Sequence, residues 1–465
     1  MENRFNQLTS KEWLPFQKSW FRYQDDRKLY EENIRFFTKS QTLKQKVFYS
    51  GPNRDLFVSL CKENDIEPTF SLDDEVQFAL IDLRSALKAL ETFSEYEELR
   101  TKTSETITQL FEKVLERRFI CIIAENVHLE HTYYPFAWDL SYLASSVFSL
   151  KDEKIGCLLN DEQNGQEGQE YFYSLYFRKD ENSSGVTNEN SRYSFGEISE
   201  SIFPNEIPGW FILKPQRRTK DEILHPAKYP EDLVRKFVAI FTSENQNVFD
   251  PMSGTGSSQL GAMQIERNGY GVELSDTFGA IAIERCTKYK NKGFESLFSE
   301  DEMVHSDFRI EIGDARDFRK FSFPVQNYLI TSPPYWDMLN MKGAENQAKR
   351  IEDGLRTNYS DNDNDLGNIA DYDTFVDTLV EIYKSILDIL EPGSFVTIVV
   401  KNIKKKGSNY PFAWDISRKL SETIELLPES FWLQDDISIA PFGFGNTWVS
   451  NTFHQYCLNF RIPFS

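Results

Sequence analysis

Residues 247–275 read NVFDPMSGTGSSQLGAMQIERNGYGVELS. Val248 and Phe249 are apolar and Asp250 closes the run, the pattern of a short buried strand that stops at an acid. Gly254 and Gly256 then permit a sharp turn and a close approach of backbone to a ligand. A helix is expected from about Ser257 to Asn268, and Gly271-Val272-Glu273-Leu274 reads as a second strand ending at an acid. In such a unit the acid after the second strand holds ribose hydroxyls. The turn lacks the GK[ST] of a P-loop, and Gln259 stands where GxGxxG needs its third glycine. Nucleoside triphosphate binding and simple NAD binding are therefore disfavoured. Taken alone, the segment is also compatible with a purely structural strand–turn–helix.

Downstream, the apolar strand Tyr328-Leu329-Ile330 runs into Thr331-Ser332-Pro333-Pro334-Tyr335-Trp336. Two adjacent prolines cannot continue a strand ladder, because neither has an N–H to donate. They fix a rigid loop at the C-terminal edge of a strand, where open α/β sheets bind ligands. A serine hydroxyl and a proline carbonyl can accept hydrogen bonds from a planar amine, and the aromatic ring can stack on its heterocycle. That combination suits a base turned out of a duplex. A proline–proline–aromatic run is otherwise an ordinary tight turn.

The chain also repeats itself. Residues 134–141 read YPFAWDLS and 410–417 read YPFAWDIS. The match extends upstream without a gap, RRFICIIAENV at 117–127 lying opposite GSFVTIVVKNI at 393–403. Both stretches read as buried strands, each preceded by an amphipathic helix and followed by an aromatic strand. The copies cover roughly 78–180 and 328–463 and differ at the chemistry: opposite NYLITSPPYWDML the first copy has QFALIDLRSAL, without the prolines. Residues 1–75 are rich in aromatics and read as a helical region, 182–204 as a polar linker, and 341–371 as a long Asn/Asp/Gly loop.

Composition narrows the function. The net charge is −21, spread over both halves, with 40% hydrophobic residues and 14% aromatics. This weighs against bulk-charge nucleic-acid binding but leaves room for a local basic groove. Lys404-Lys405-Lys406, with Lys401, Lys342 and Arg350, forms the candidate phosphate-contacting set. Five single cysteines without CxxC spacing and five histidines without HExxH make a metal site or a disulfide framework poor readings. No apolar run reaches membrane-helix length, and the N-terminal sequence has no signal-peptide core, so a cytoplasmic location is expected.

DPMSGTGSS with GVELS, together with TSPPYW, resembles the S-adenosylmethionine-dependent amino-methyltransferases of DNA, which modify N4 of cytosine or N6 of adenine. Two further segments match that family's pattern: His225-Pro226-Ala227-Lys228-Tyr229-Pro230 before the glycine-rich strand, and Gly313-Asp314-Ala315 after the third strand. The resemblance covers about 205–465, and it departs at Met252, where the family more often has Phe.

The resemblance implies an α/β fold, a Rossmann-like methyltransferase sheet with helices on both faces, in which 205–325 is the cofactor half and 326–465 the catalytic half. The N-terminal lobe would hold a degenerate duplicate of the catalytic half, 76–181. It implies that His225, Ala227 and Lys228 border S-adenosyl-L-methionine, that Asp250, Ser253, Gly254 and Gly256 cradle its methionine part, that Glu273 holds the ribose and that Asp314 binds the adenine. Ser332, Pro333, Pro334 and Tyr335 would hold the target base. SPPY leans toward N4 of cytosine, and no cysteine stands in a motif suited to ring-carbon methylation. The implied partner is double-stranded DNA with one base flipped; a restriction or defence partner protein and a homodimer remain open. The alternatives are an RNA N-methyltransferase and a non-catalytic nucleic-acid-binding component on the same scaffold.

Overall fold

The computed structural model describes residues 5–39, 43–159, 165–181, 183–185, 207–214, 229–295, 305–336, 365–405, 407–435 and 450–464. Two large sheets organise them. The first lobe contains β1 (Trp20–Tyr23), β2 (Lys46–Ser50), β3 (Pro68–Thr69), β4 (Val76–Asp82), β5 (Val114–Ala124), the hairpin β6 (Val127–Leu129) and β7 (Thr132–Tyr134), β8 (Ser149–Leu158), β9 (Glu167–Gly168) and β10 (Tyr171–Arg178). The second contains β11 (Trp210–Ile212), β12 (Asn247–Asp250), β13 (Asn268–Glu273), β14 (Phe308–Ile312), β15 (Gln326–Thr331), β16 (Leu390–Val400), the hairpin β17 (Ile403–Lys405) and β18 (Ser408–Tyr410), β19 (Glu425–Leu426), β20 (Ser430–Leu433) and β21 (His454–Arg461).

The second sheet runs β14-β13-β12-β15-β16-β21-β20-β11-β9. Its centre is parallel: β12 pairs with β13 on one side and β15 on the other, and β15 pairs with β16. Strand β21 enters antiparallel between β16 and β20. Between β12 and β15 the strand order reverses, and ligands bind at the C-terminal ends of such a pair. Every residue of β15 except Asn327 is buried, as expected of a central strand covered on both faces. The amphipathic helices Glu231–Phe241 and Tyr372–Ile386 supply much of that cover, turning Leu233, Val234, Phe237 and Val238, and Phe375, Leu379 and Tyr383, inward.

The first sheet runs β1-β8-β10-β5-β4-β2-β3. Residues 1–75 are mixed rather than purely helical: besides helices such as Asp26–Phe37 and Arg54–Glu63, they contribute three short strands. Strands β1 and β2 are only four and five residues long, too short for their alternation to stand out from the surrounding Phe and Tyr. Strand β9 also crosses the expected boundary, since it pairs with β11 of the second sheet.

The lobes share a core. Trp138 and Trp414, from the two YPFAWD segments, stack with ring centroids 6.5 Å apart, and both are buried. Tyr142 donates to Asp415 at 2.7 Å across the boundary. One apolar cluster runs from Ile122 and Phe136 through Trp138 to Trp414 and Leu458. The expected outcome is a single cooperative calorimetric transition for both lobes, with Trp138→Ala and Trp414→Ala each costing about 3–5 kcal/mol. Two separate transitions, only one of them moved by Trp138→Ala, would contradict a shared core.

Candidate active site

The site is built on Asp250, the last residue of β12, which is fully buried. Its carboxylate accepts hydrogen bonds from Thr331 Oγ1 at 2.7 Å, Met252 N at 2.9 Å and Tyr229 Oη at 3.1 Å, and from the Ser258 hydroxyl. Burial pushes its pKa up, and these four donors pull against that shift. Asp250 thus joins the C-terminal end of β12 to that of β15, the turn after β12 and the N-terminus of the helix Ser257–Met263. The sequence placed Asp250 on the cofactor; the structure places it beneath the turn, as the strut that shapes it.

The glycine-rich turn follows. Gly254 and Gly256 have φ of +54° and +80°, the left-handed region that glycine enters without a steric penalty. At Gly256 a Cβ would also lie 2.9 Å from the Cβ of Ala282. Gly254 N donates to Glu273 Oε2 at 2.7 Å, and Ser275 N donates to Glu273 Oε1 at 2.8 Å. Burial nevertheless raises the Glu273 carboxyl to about 7. Gln259, the break in GxGxxG, donates to Ser253 Oγ and to the Tyr270 carbonyl, both at 2.9 Å. It thereby ties the helix to β13, and Gly269 and Gly271 give it room: a Cβ on Gly269 would meet Gln259 Cα at 2.6 Å.

Above this frame lies a cleft of about 660 Å³, open mouth included, lined by Pro251, Met252, Gly254, Glu273, Leu274, Phe278, Asp314, Ala315, Ser332, Pro334, Asp365, Leu366 and Ile382. Five of the residues singled out from sequence reach it: Gly254, Glu273, Asp314, Ser332 and Pro334. Ser253 and Gly256 are part of the supporting turn instead, Ser253 donating to the Asp250 carbonyl at 3.1 Å. His225, Ala227 and Lys228 lie outside the described residues. Phe278, Asp365, Leu366 and Ile382 were not foreseen. Phe278 was the most accessible of them, standing one turn into the helix that follows GVELS. Asp314 is bound to Arg316, whose Nη2 lies 2.5 Å from it. Burial works against its charge, but the Arg316 bonds outweigh it and hold the carboxyl below its ordinary value.

Tyr335 and Trp336 lie beside the cleft. Tyr335 Oη donates to Gln455 Oε1 at 3.1 Å, and Lys401 Nζ sits 5.1 Å from the Tyr335 ring centroid. Trp336 packs against Tyr372 and Tyr410 and carries Lys405 Nζ 3.8 Å above its ring. The basic set expected to contact phosphates is thus partly committed elsewhere. Lys404 is ion-paired with the buried Asp152 of the first lobe and also donates to Ser450. Lys342, Arg350 and Lys406 lie outside the described residues.

The cleft's character follows from its lining. Three carboxylates, Glu273, Asp314 and Asp365, face it among apolar walls, and its described lining has no lysine or arginine. Phosphate-bearing ligands are repelled by such a lining, whereas a flat heterocycle with hydroxyls and a positive centre fits it.

Comparison with a family model covers the glycine-rich motif and GVELS but stops before TSPPYW. Residues 88–284 match the N6/N4 family model described as DNA methylase. Over those residues the chain is similar to this amino-methyltransferase family. Among curated relatives, the Type II methyltransferase M.BglII of Bacillus subtilis is 29% identical over 90 residues, 19% of this chain and 25% of that protein. The Type II methyltransferase M.HindIII of Haemophilus influenzae is 32% identical over 83 residues, 18% of this chain and 27% of that protein. The chain thus spans about a quarter of the length of these relatives. An rRNA methylase structure from Streptococcus thermophilus aligns with 51% of this chain and 98% of its own at 12% identity and a TM-score of 0.28.

Tyr229 tests the strut. Tyr229→Phe removes one donor from a carboxylate that water cannot reach, and urea unfolding is expected to show a loss of about 1–3 kcal/mol. An unchanged midpoint would mean that the Asp250 network does not hold the switch point together.

Proposed function

We propose that this protein transfers a methyl group from S-adenosyl-L-methionine to an exocyclic amino group of a base in DNA, N4 of cytosine in preference to N6 of adenine. The observation that carries this reading is the convergence of Ser332 and Pro334 of TSPPYW with Glu273, Asp314 and Gly254 on one acidic, apolar-walled cleft. The residues fit the cofactor: Glu273 offers carboxylate oxygens to ribose hydroxyls, Asp314 accepts from the adenine amine, and Met252, Leu274, Phe278 and Leu366 provide apolar walls. When bound, the cofactor supplies an electrophilic methyl group on a positively charged sulfur.

The chain's own residues do the rest. An exocyclic amine is a poor nucleophile because its lone pair is delocalised into the ring. Ser332 Oγ and the Pro333 carbonyl would accept hydrogen bonds from its two N–H groups, which draws the nitrogen toward a tetrahedral geometry and frees the lone pair. Tyr335, hydrogen-bonded to Gln455, would stack on the base. The paired prolines hold these groups rigidly at the end of β15, so that positioning lowers the barrier. A flipped base is required, because the amine cannot reach such a pocket from within a duplex. A restriction or defence setting agrees with the Type II names of the relatives.

Incubation with methyl-tritiated S-adenosylmethionine and unmethylated genomic DNA, followed by digestion to nucleosides, is expected to label N4-methylcytosine. Label in N6-methyladenine would correct the base, and transfer to RNA alone would favour the RNA reading. Tyr335→Ala is expected to reduce transfer about a hundredfold or more while S-adenosylhomocysteine binding changes little. A parallel loss of binding would remove Tyr335 from base holding.

The Glu273 carboxyl adds a pH dependence. Its pKa of about 7 leaves it largely protonated at pH 6 and ionised at pH 8. The ionised form is the better acceptor for ribose hydroxyls, so calorimetric affinity for S-adenosylhomocysteine is expected to rise by about tenfold over that interval. Glu273→Gln should flatten the profile; an unchanged slope in that variant would assign the titration elsewhere.

A further inference from the structure

All seven strands of the first sheet have counterparts in the second, well beyond the repeat visible in the sequence. In the first, Phe78 pairs with Phe119 and Ala124 with Tyr173; in the second, Tyr328 pairs with Phe395 and Val400 with Tyr456. The correspondence continues into the segment expected to be helical. Trp20 of β1 pairs with Ile155 of β8 in parallel, as Trp210 of β11 pairs with Phe431 of β20. Val47 of β2 pairs with Phe78, as Val248 of β12 pairs with Tyr328. The helix between β2 and β3 answers the helix between β12 and β13.

The contact between the lobes is also reciprocal. Asn402 Nδ2 donates to Glu153 at 2.8 Å, and Asn126 Nδ2 donates to Glu429 at 3.0 Å. Asn402 Oδ1 accepts from Ala413 N and Asn126 Oδ1 from Ala137 N, each at 2.9 Å. Tyr456 Oη donates to Glu153 at 2.6 Å, and Tyr173 Oη donates to Glu429. By the strand registers, Asn126 corresponds to Asn402 and Tyr173 to Tyr456, and the alignment of the repeat sets Glu153 against Glu429. Each contact is therefore made twice in opposite directions, with Trp138 stacked on Trp414 between them. This is the isologous pattern of a two-fold dimer, drawn within one chain.

The counterpart of the cofactor cleft is shut. Tyr49 stands in the register of Asp250, and Asp82 in that of Ser332. The Tyr49 hydroxyl bonds to Tyr30 at 3.1 Å, and Tyr30 donates to Asp82 at 2.6 Å. Arg84 closes the group with ion pairs to Asp82 at 2.5 Å and Asp26 at 2.7 Å. Strand β3 ends at Thr69, before any counterpart of Glu273.

We propose that residues 20–178 are a second copy of the fold, with counterparts of β11, β12 and β13 of the cofactor half but none of β14, which no longer binds cofactor and serves the catalytic copy as a built-in partner subunit. Its Glu153 is a positioning residue: it holds Tyr456 of β21 and Asn402, the latter on the segment after β16 whose Lys401 and Lys405 lie over Tyr335 and Trp336. This rests on the methyltransferase reading of the second lobe.

Titration calorimetry of the full chain with S-adenosylhomocysteine is expected to give one site per chain. Asp314→Ala, at the rim, weakens that site at least tenfold, while Tyr49→Phe and Asp82→Asn leave it within twofold. Two sites per chain, or weakened binding in either first-lobe variant, would overturn the proposal and leave the cofactor reading intact; no binding at all would overturn both. The symmetric pair Glu153→Gln and Glu429→Gln separates positioning from simple adhesion. Both should lower thermal stability, but only Glu153→Gln should lower kcat for methyl transfer, by about tenfold, at unchanged cofactor affinity. Equal effects of the two on kcat would reduce Glu153 to a structural contact.

Discussion

A carboxylate with no access to water holds the second lobe in its working shape. Asp250 must satisfy its oxygens internally, and it does so with donors from four separate segments: the HPA-x-Y-P stretch, the glycine-rich turn, the helix after it and the end of β15. An unpaired buried charge is costly, so those segments are locked together at the point where the strand order reverses. The turn that Asp250 shapes then presents Gly254 to Glu273, and Thr331 delivers Ser332 and Pro334 to the same cleft. Cleft-lining residues come from distant parts of the sequence, and this one constraint brings them face to face.

The second organising feature is the reciprocal contact between lobes. It uses the same residues twice, Asn with Glu and Tyr with Glu, around a pair of stacked tryptophans. Such a contact needs both folds to keep their shape, which accounts for a first lobe with a fully formed core whose strand ends are closed by Tyr30, Asp82 and Arg84. Stability and chemistry are thus divided between two similar sheets: both contribute to the shared core, and one retains an open cleft.

Much of this was legible in the sequence because it rests on local chemistry. The glycines at 254 and 256, the acid at 273 and the prolines at 333 and 334 each make a backbone demand or end a strand, and such demands are visible one residue at a time. Asp314 was legible through the family pattern. Phe278, Asp365, Leu366 and Ile382 were not, because they reach the cleft from elements whose packing no local pattern reports. The packing of Asp250 escaped the sequence for a related reason: its position at a strand end was evident, but its burial under Thr331 and Tyr229 was not. Lys404 looked like part of a basic surface, and only the fold brings Asp152 to it. The N-terminal strands escaped notice because they are short and aromatic. Their equivalence to β11 and β12 lies in pairing register, with little identity beyond Trp20 and Trp210.

The account stands or falls on where the cofactor binds. Ultraviolet cross-linking of the full chain with methyl-tritiated S-adenosylmethionine, followed by proteolysis and peptide mapping, locates it directly. The account predicts label in peptides spanning Pro251–Phe278 or Ser332–Trp336. Label in peptides spanning Lys46–Arg84 of the first lobe would contradict it.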